Sequence, residues 1–321
     1  MRVVVLSDIH YASAQEQARG SDFEVAAVVH PLGRRLLRWY RRFIWLREPL
    51  QKNYLLDRFL ERCGDADWVV ANGDFACNTA SVGLSDDAAC QSARECLEKL
   101  RGAFGERFRA TFGDHELGKV SFVGGRGGMR LASWHRARNE LGLEPFWQVN
   151  CGRYRLMGVA SSLVALPIFQ RDTLPEQLPE WERLRSGHMA DIRQAFAGLA
   201  ADERVLLFCH DPTALPFLLE LPEVGQRVNQ IEQTIIGHLH SNLVLWASRR
   251  LAGLPRLDFL GHSARRMSSA LRQGRLWRPF NVRLCPALAG IELLKDGGYF
   301  SIELDPEARM PAQFRLHPMP R

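Results

Sequence analysis

Carboxylates and imidazoles recur in five short blocks along this chain. They are Asp8 with His10, Asp74 after Gly73, Asp114-His115-Glu116 after Gly113, His210, and His238 with His240 after Gly237. Donors of these two kinds suit Mn, Fe, Zn, Ni or Co, and the lack of cysteine in the blocks argues against a thiolate zinc site. Asp8 and His10 stand two residues apart, as do His238 and His240. On an extended strand end that spacing points both side chains to one side, so each pair could bind one ion. Taken singly, His10 or His210 reads as a core or capping histidine, and Asp8 as a turn residue. Taken jointly, the blocks read as a metal centre built from Asp8, His10, Asp74, Asp114, His210, His238 and His240.

Four blocks close apolar runs: Val3 to Leu6, Trp68 to Val70, Val205 to Phe208 and Thr234 to Ile236. Such runs predict strands buried on both faces. Helical spacing lies between them, over Asn53 to Arg62, Asp86 to Leu100 and Met189 to Leu199. Alternating strands and helices imply an α/β layered fold, with the site at the strand C-terminal ends. Further strands are expected at Arg256 to Phe259, Ala289 to Leu294 and Tyr299 to Leu304. The expected organisation is one domain over 1–321, with an inserted amphipathic basic helical segment at 11–50. The strands of 251–321 are expected to complete a second sheet.

The order of the blocks resembles the calcineurin-like metallophosphoesterase pattern D-x-H, G-D, G-N-H-D/E, H, G-H-x-H over roughly residues 1–242, with an enlarged gap after His10. The resemblance implies a four-layer αββα sandwich of two mixed β-sheets flanked by helices. It implies two divalent ions, manganese favoured, with Asp8, His10, Asp74 and His240 on the first. Asp74 bridges to the second, which Asp114, His210 and His238 complete. A dinuclear phosphoester hydrolase of phosphodiesterase or pyrophosphatase type follows, in which a metal-bridging hydroxide attacks phosphorus. His115 takes the position beside the leaving group, and Glu116 is expected to orient its ring. The alternatives are a metal-dependent nuclease and a non-catalytic scaffold of the same fold. Retention of His115 and of every ligand position weighs against the scaffold.

The chain departs from that pattern at Asp114, where the family has Asn. The additional carboxylate lowers the positive charge of the centre by one unit and predicts tighter binding of the second ion. After Asp74 the run Phe75 to Asn78 lacks the usual second acidic or amide residue, so that support comes from Asn78 or is absent; Cys77 reads as an ordinary buried thiol, the alternative being a thiol beside the metals.

Residues 32–50 place Leu32, Leu36, Trp39, Phe43 and Leu46 on one helical face, and Arg34, Arg35, Arg38, Arg41 and Arg42 on the other. One reading is a lid or foot that meets an anionic membrane surface or a lipid-linked substrate; the other is an amphipathic helix packed on the core. A second basic cluster runs through Arg265, Arg266, Arg272, Arg275, Arg278 and Arg283, with Trp277 and Phe280 interleaved. It reads as a phosphate, nucleotide or lipid site or as a solvated face. The glycine-rich loop 124–128 lacks a P-loop lysine, and Lys119 or Arg126 is expected to reach the substrate phosphate.

Bulk composition narrows the rest. The chain of 321 residues is 46% hydrophobic and carries a net charge of +6. Its pI of about 9.1 favours anionic partners without choosing among them; nucleic acid is the less expected, since the basic residues lie on an apolar-faced helix rather than along a groove. Seven cysteines with no C-x-x-C pair suit a reducing compartment, so a cytoplasmic, peripherally membrane-associated protein is expected.

Overall fold

The apolar runs become the strands of two mixed five-stranded sheets. The structure is a computed structural model. It describes all residues except 23, 24, 26, 27, 29, 78–80, 120–126, 254–267, 269, 270, 320 and 321. The first sheet contains β1 (Arg2–Leu6), β2 (Trp68–Ala71), β3 (Phe108–Ala110), β9 (Gly298–Glu303) and β10 (Gln313–Pro318), in the order β10-β9-β1-β2-β3. The second contains β4 (Phe146–Cys151), β5 (Tyr154–Val159), β6 (Arg204–Cys209), β7 (Ile231–Ile236) and β8 (Val282–Leu284), in chain order. β1, β2 and β3 run parallel, as do β5 to β8; β9, β10 and β4 are antiparallel additions.

Alternation along β1 assigns its two faces. Val3 and Val5 share a buried cluster with Val70, Phe300 and Ile302 of their own sheet and with Leu156, Leu206, Phe208 and Ile235 of the other. Val4 and Leu6 belong instead to a cluster containing helical residues. These include Phe59 of the helix Tyr54–Arg62, Leu97 and Leu100 of the helix Asp87–Phe104, and Ile192 and Phe196 of the helix Leu178–Ala197. Each fully buried Val, Leu or Ile contributes about 1.5–3 kcal/mol, so both faces of β1 anchor the strand that leads into Asp8.

Three expectations need correction. The C-terminal strands do not complete the second sheet together. Only β8 joins it, whereas β9 and β10 form a hairpin that pairs β9 with β1. Ala289 to Leu294 is not a strand; Glu292 to Lys295 turn, and Asp296 Oδ1 accepts the Ile291 N–H at 2.9 Å. The helix expected at Met189 to Leu199 begins eleven residues earlier, at Leu178, with Pro179 in its first turn. Its first half is so polar that helical periodicity is faint there. The strand expected at Arg256 to Phe259 lies outside the described residues. Among the described residues, no helix is long and apolar enough to cross a membrane.

Candidate metal centre

Every expected ligand sits just beyond the C-terminal end of a parallel strand. Asp8 and His10 follow β1, Asp74 follows β2 and Asp114 follows β3, while His210 follows β6 and His238 and His240 follow β7. The loops are sewn together by backbone hydrogen bonds. The Asp8 N–H donates to Gly73 O at 3.1 Å, the Ile9 and His10 N–H groups to Asp74 O at 3.0 and 3.1 Å, and the Gly237 N–H to His210 O at 3.0 Å.

Five of the seven, Asp8, His10, Asp74, His238 and His240, hold left-handed backbone with φ of 50–60°. This overturns the extended-strand expectation for the two D-x-H and H-x-H pairs. On a straight strand, donors two residues apart would be separated by about 7 Å. The left-handed turns bring them together instead, at roughly 1–2 kcal/mol each. Asp and His tolerate that region better than most residues, and such strain concentrates at functional sites. Gly73, at φ 88°, is also left-handed, and a Cβ there would come within 2.6 Å of the Gly113 Cα. The two Gly-Asp turns therefore touch backbone to backbone.

The expected ligands fall into two donor groups. Asp8, His10, Asp74 and His240 form one, and Asp114, His210 and His238 the other; in each, the ligand atoms lie within 4.8 Å of one another, as they do in a third set of Asp74, Asp114 and His115. Asp74 joins them, since its Oδ2 lies 3.2 Å from His210 Nε2. An ion held at about 2.1 Å places its ligands up to about 4 Å apart, so these groups are close to binding geometry. Six of the seven side chains are buried, His238 being the part-exposed one. Asp8 Oδ1, Asp74 Oδ2 and His210 Nε2 are buried without a hydrogen-bond partner. Orphaned anionic oxygens beside an orphaned imidazole nitrogen are costly unless a cation satisfies them. Buried Asp and His groups thus fit the binding of metal ions.

The surrounding residues fix the rings. His210 Nδ1 lies 2.5 Å from Asn72 O, which leaves Nε2 to face Asp74 and Asp114. His10 Nδ1 lies 3.3 Å from Ala76 O. The Ser7 hydroxyl donates to Asp8 Oδ2 at 2.6 Å. The Trp45 ring packs on His240 with centroids 4.6 Å apart, and His10 stacks on the same His240 ring at 5.2 Å. Asn72, Ser7 and Trp45 escaped the sequence reading. Asn72 and Ser7 adjoin the blocks and carry that signal, whereas nothing in the sequence links Trp45 to a histidine 195 positions away.

His115 lies beside the first group, its ring 5.0 Å from His10 and its Nε2 3.7 Å from Asp74 Oδ2. Burial pushes its imidazole pKa down to about 3. Glu116 does not orient that ring. Its carboxylate accepts the backbone N–H groups of Gly113 at 2.7 Å, Asp74 at 3.0 Å and Phe75 at 2.8 Å. Glu116 is therefore a positioning residue that ties the β2 loop to the β3 loop. Burial and the Asp74 carboxylate push its pKa up to about 8 against those three donors.

Lys119, expected at the substrate, pairs with Asp114 Oδ2 at 3.0 Å. Burial would raise the Asp114 pKa, but Lys119 and His238 outweigh it and hold the carboxyl well below its usual range. Arg126, Asn78, Arg265 and Arg266 lie outside the described residues. Cys77 is buried with Ala12 and Leu50, as an ordinary thiol would be. Of the second basic cluster, Arg275, Arg278 and Trp277 line a surface cavity with Arg249 and Arg250, to which none of the seven ligands contributes. Neither a protein-family model nor a curated protein matches the chain.

Proposed function

We propose that this chain is a dinuclear-metal-dependent phosphoester hydrolase of phosphodiesterase or pyrophosphatase type, built on the four-layer αββα sandwich of the metallophosphoesterases. The observation that carries this reading is the convergence of two buried donor groups that share Asp74, each with orphaned polar atoms facing inward. The fold supports it as well: two sheets share one apolar interior, and helices contribute to the cluster on their other faces.

Asp8, His10, Asp74 and His240 would hold one ion, and Asp74, Asp114, His210 and His238 the second, with manganese favoured. A bound pair of divalent ions supplies an acidified water and a positive clamp for phosphoryl oxygens. The chain supplies the rest. Asn72 keeps His210 turned inward, and Glu116 holds the Asp74 and Asp114 loops in mutual register. His115 is neutral at ordinary pH, so it assists the departing oxygen by donating a hydrogen bond rather than by delivering a proton. Trp45 and His10 wall His240 and shield it from water.

Hydrolysis of bis-p-nitrophenyl phosphate, p-nitrophenyl phosphate and lipid-linked pyrophosphates, alongside metal analysis, tests this. The expected result is diester or pyrophosphate cleavage that chelation abolishes, that manganese restores and that Asp74→Asn removes. Purified, metal-reconstituted protein that retains no ions would end the reading. Cleavage of the monoester alone would overturn the diesterase assignment.

A further inference from the structure

The segment that the sequence leaves between two readings stands away from the core. It forms α1 (Pro31–Tyr40), continued by a π-helical stretch over Arg41–Trp45. No residue of α1 is buried. Leu32, Leu36, Trp39 and Phe43 are 51–68% exposed; the Trp39 and Phe43 rings are tilted against each other at 5.8 Å between centroids, and the Arg42 guanidinium lies over Phe43 at 5.6 Å. A surface helix ordinarily turns its apolar stripe to the interior. Polar contacts tie the helix to the segment before it, Arg34 Nε donating to Val28 O at 2.6 Å and Arg38 pairing with Asp22, while its apolar anchoring comes at the C-terminal end. Leu46 is buried, Trp45 packs on His240, and the Ile44 and Trp45 carbonyls accept the N–H groups of Leu293 and Glu292.

A second element of the same character leaves the site on the other side of His240. Ser241 caps α2 (Asn242–Arg250), whose Leu243 and Trp246 are each 56% exposed and whose last turn carries Arg249 and Arg250. Arg250 lies over the Trp246 ring at 5.3 Å. Exposed aromatic and aliphatic side chains bordered by arginines therefore occur both on the segment that reaches His240 through Trp45 and on the helix that follows His240 in the chain.

We propose that the face of Leu32, Leu36, Trp39 and Phe43 docks into the interface of an anionic lipid bilayer, with the neighbouring arginines on its phosphate head groups. Arg35 and Arg42 are exposed beside that row, and an interfacial helix buries such a row about 5–10 Å into the head-group region while its arginines remain at the phosphates. Charge favours this occupant over a second copy of the chain. Pairing the face with itself would bring arginine rows together with few acids to meet them: Asp22 already pairs with Arg38, and the carboxylate of Glu292 accepts the Arg47 backbone N–H. The inference concerns the surface and stands apart from the hydrolase reading.

Flotation of the full chain with vesicles of phosphatidylcholine, with and without phosphatidylglycerol, tests it. The wild type is expected to float with the anionic vesicles and to be released by salt. Trp39→Glu/Phe43→Glu should lower that binding by about tenfold or more with an unchanged melting temperature, because both positions are exposed. Arg35→Gln/Arg42→Gln should lower binding to anionic vesicles by about tenfold and leave the neutral ones unaffected. Wild-type protein that ignores anionic vesicles, or variants that bind as well as wild type, overturn the proposal. So does a wild-type dimer that the glutamate variants convert to monomer without any vesicle binding.

Discussion

Lys119 Nζ stands 3.0 Å from Asp114 Oδ2, so a buried carboxylate of the second donor group carries its own ammonium partner. The carboxylate and the ammonium cancel in charge. Asp114→Asn alone should leave Lys119 facing cations without its counter-ion, so affinity for the second ion should fall. Asp114→Asn/Lys119→Met should recover much of it. A coupling of about 1–3 kcal/mol is expected across this cycle. Isothermal titration with manganese reads it, and additive losses would show that the pair does not act as a unit.

Glu116 holds three backbone N–H groups from two loops. Above the Glu116 pKa of about 8, Glu116→Gln keeps the shape but turns one acceptor oxygen into a donor aimed at an N–H. The loops bearing Asp74 and Asp114 should then lose register. Metal affinity is expected to drop about 10–100-fold, the usual cost of losing a residue that orients ligands. Equilibrium dialysis measures this directly, and undiminished affinity would assign Glu116 to the fold alone.

His115 is the residue whose loss should separate chemistry from metal binding. His115→Ala leaves all seven ligands, so metal content should be unchanged. Turnover of a diester with an alkoxide leaving group should fall about 100-fold. The loss should be smaller with p-nitrophenolate, which needs little help in departing. Equal losses on both substrates would remove His115 from the leaving-group side.

The convergence of the seven Asp and His side chains was legible because apolar runs stop at polar blocks, and parallel sheets deliver such blocks to one edge. Their backbone was not. Left-handed φ at Asp8 or His240 is imposed by neighbouring loops, through bonds such as Asp8 N–H to Gly73 O, and a single sequence carries no mark of these. The role of Glu116 was misread for a related reason, since its partners at Asp74 and Phe75 are some forty positions away. The β9–β10 hairpin joined the β1 sheet because β1 still had an open edge. Alternation of apolar residues identifies a strand but does not choose its neighbour. Residues 32–50 showed their amphipathic pattern plainly, yet the pattern is the same whether the apolar face meets a core or a membrane.

His188 gives a test that does not involve the metal centre. It is buried, its Nε2 accepts the Ala160 N–H at 3.2 Å, and its Nδ1 has no hydrogen-bond partner. Burial, helped by Arg185, pushes its pKa down to about 3, against 6.5 for an ordinary histidine. Between these two values the unfolded chain binds a proton that the folded chain refuses. Stability from this group is therefore complete above pH 6.5 and is lost as the pH falls toward 3. At pH 5 the loss amounts to about 2 kcal/mol. His188→Gln keeps an acceptor for Ala160 and does not titrate. Denaturant midpoints taken for both proteins at pH 7 and pH 5 should show a gap that shifts by about 2 kcal/mol in favour of the variant at the lower pH. Parallel pH dependence in the two proteins would show that His188 is protonated without strain, and that its burial is less complete than the packing indicates.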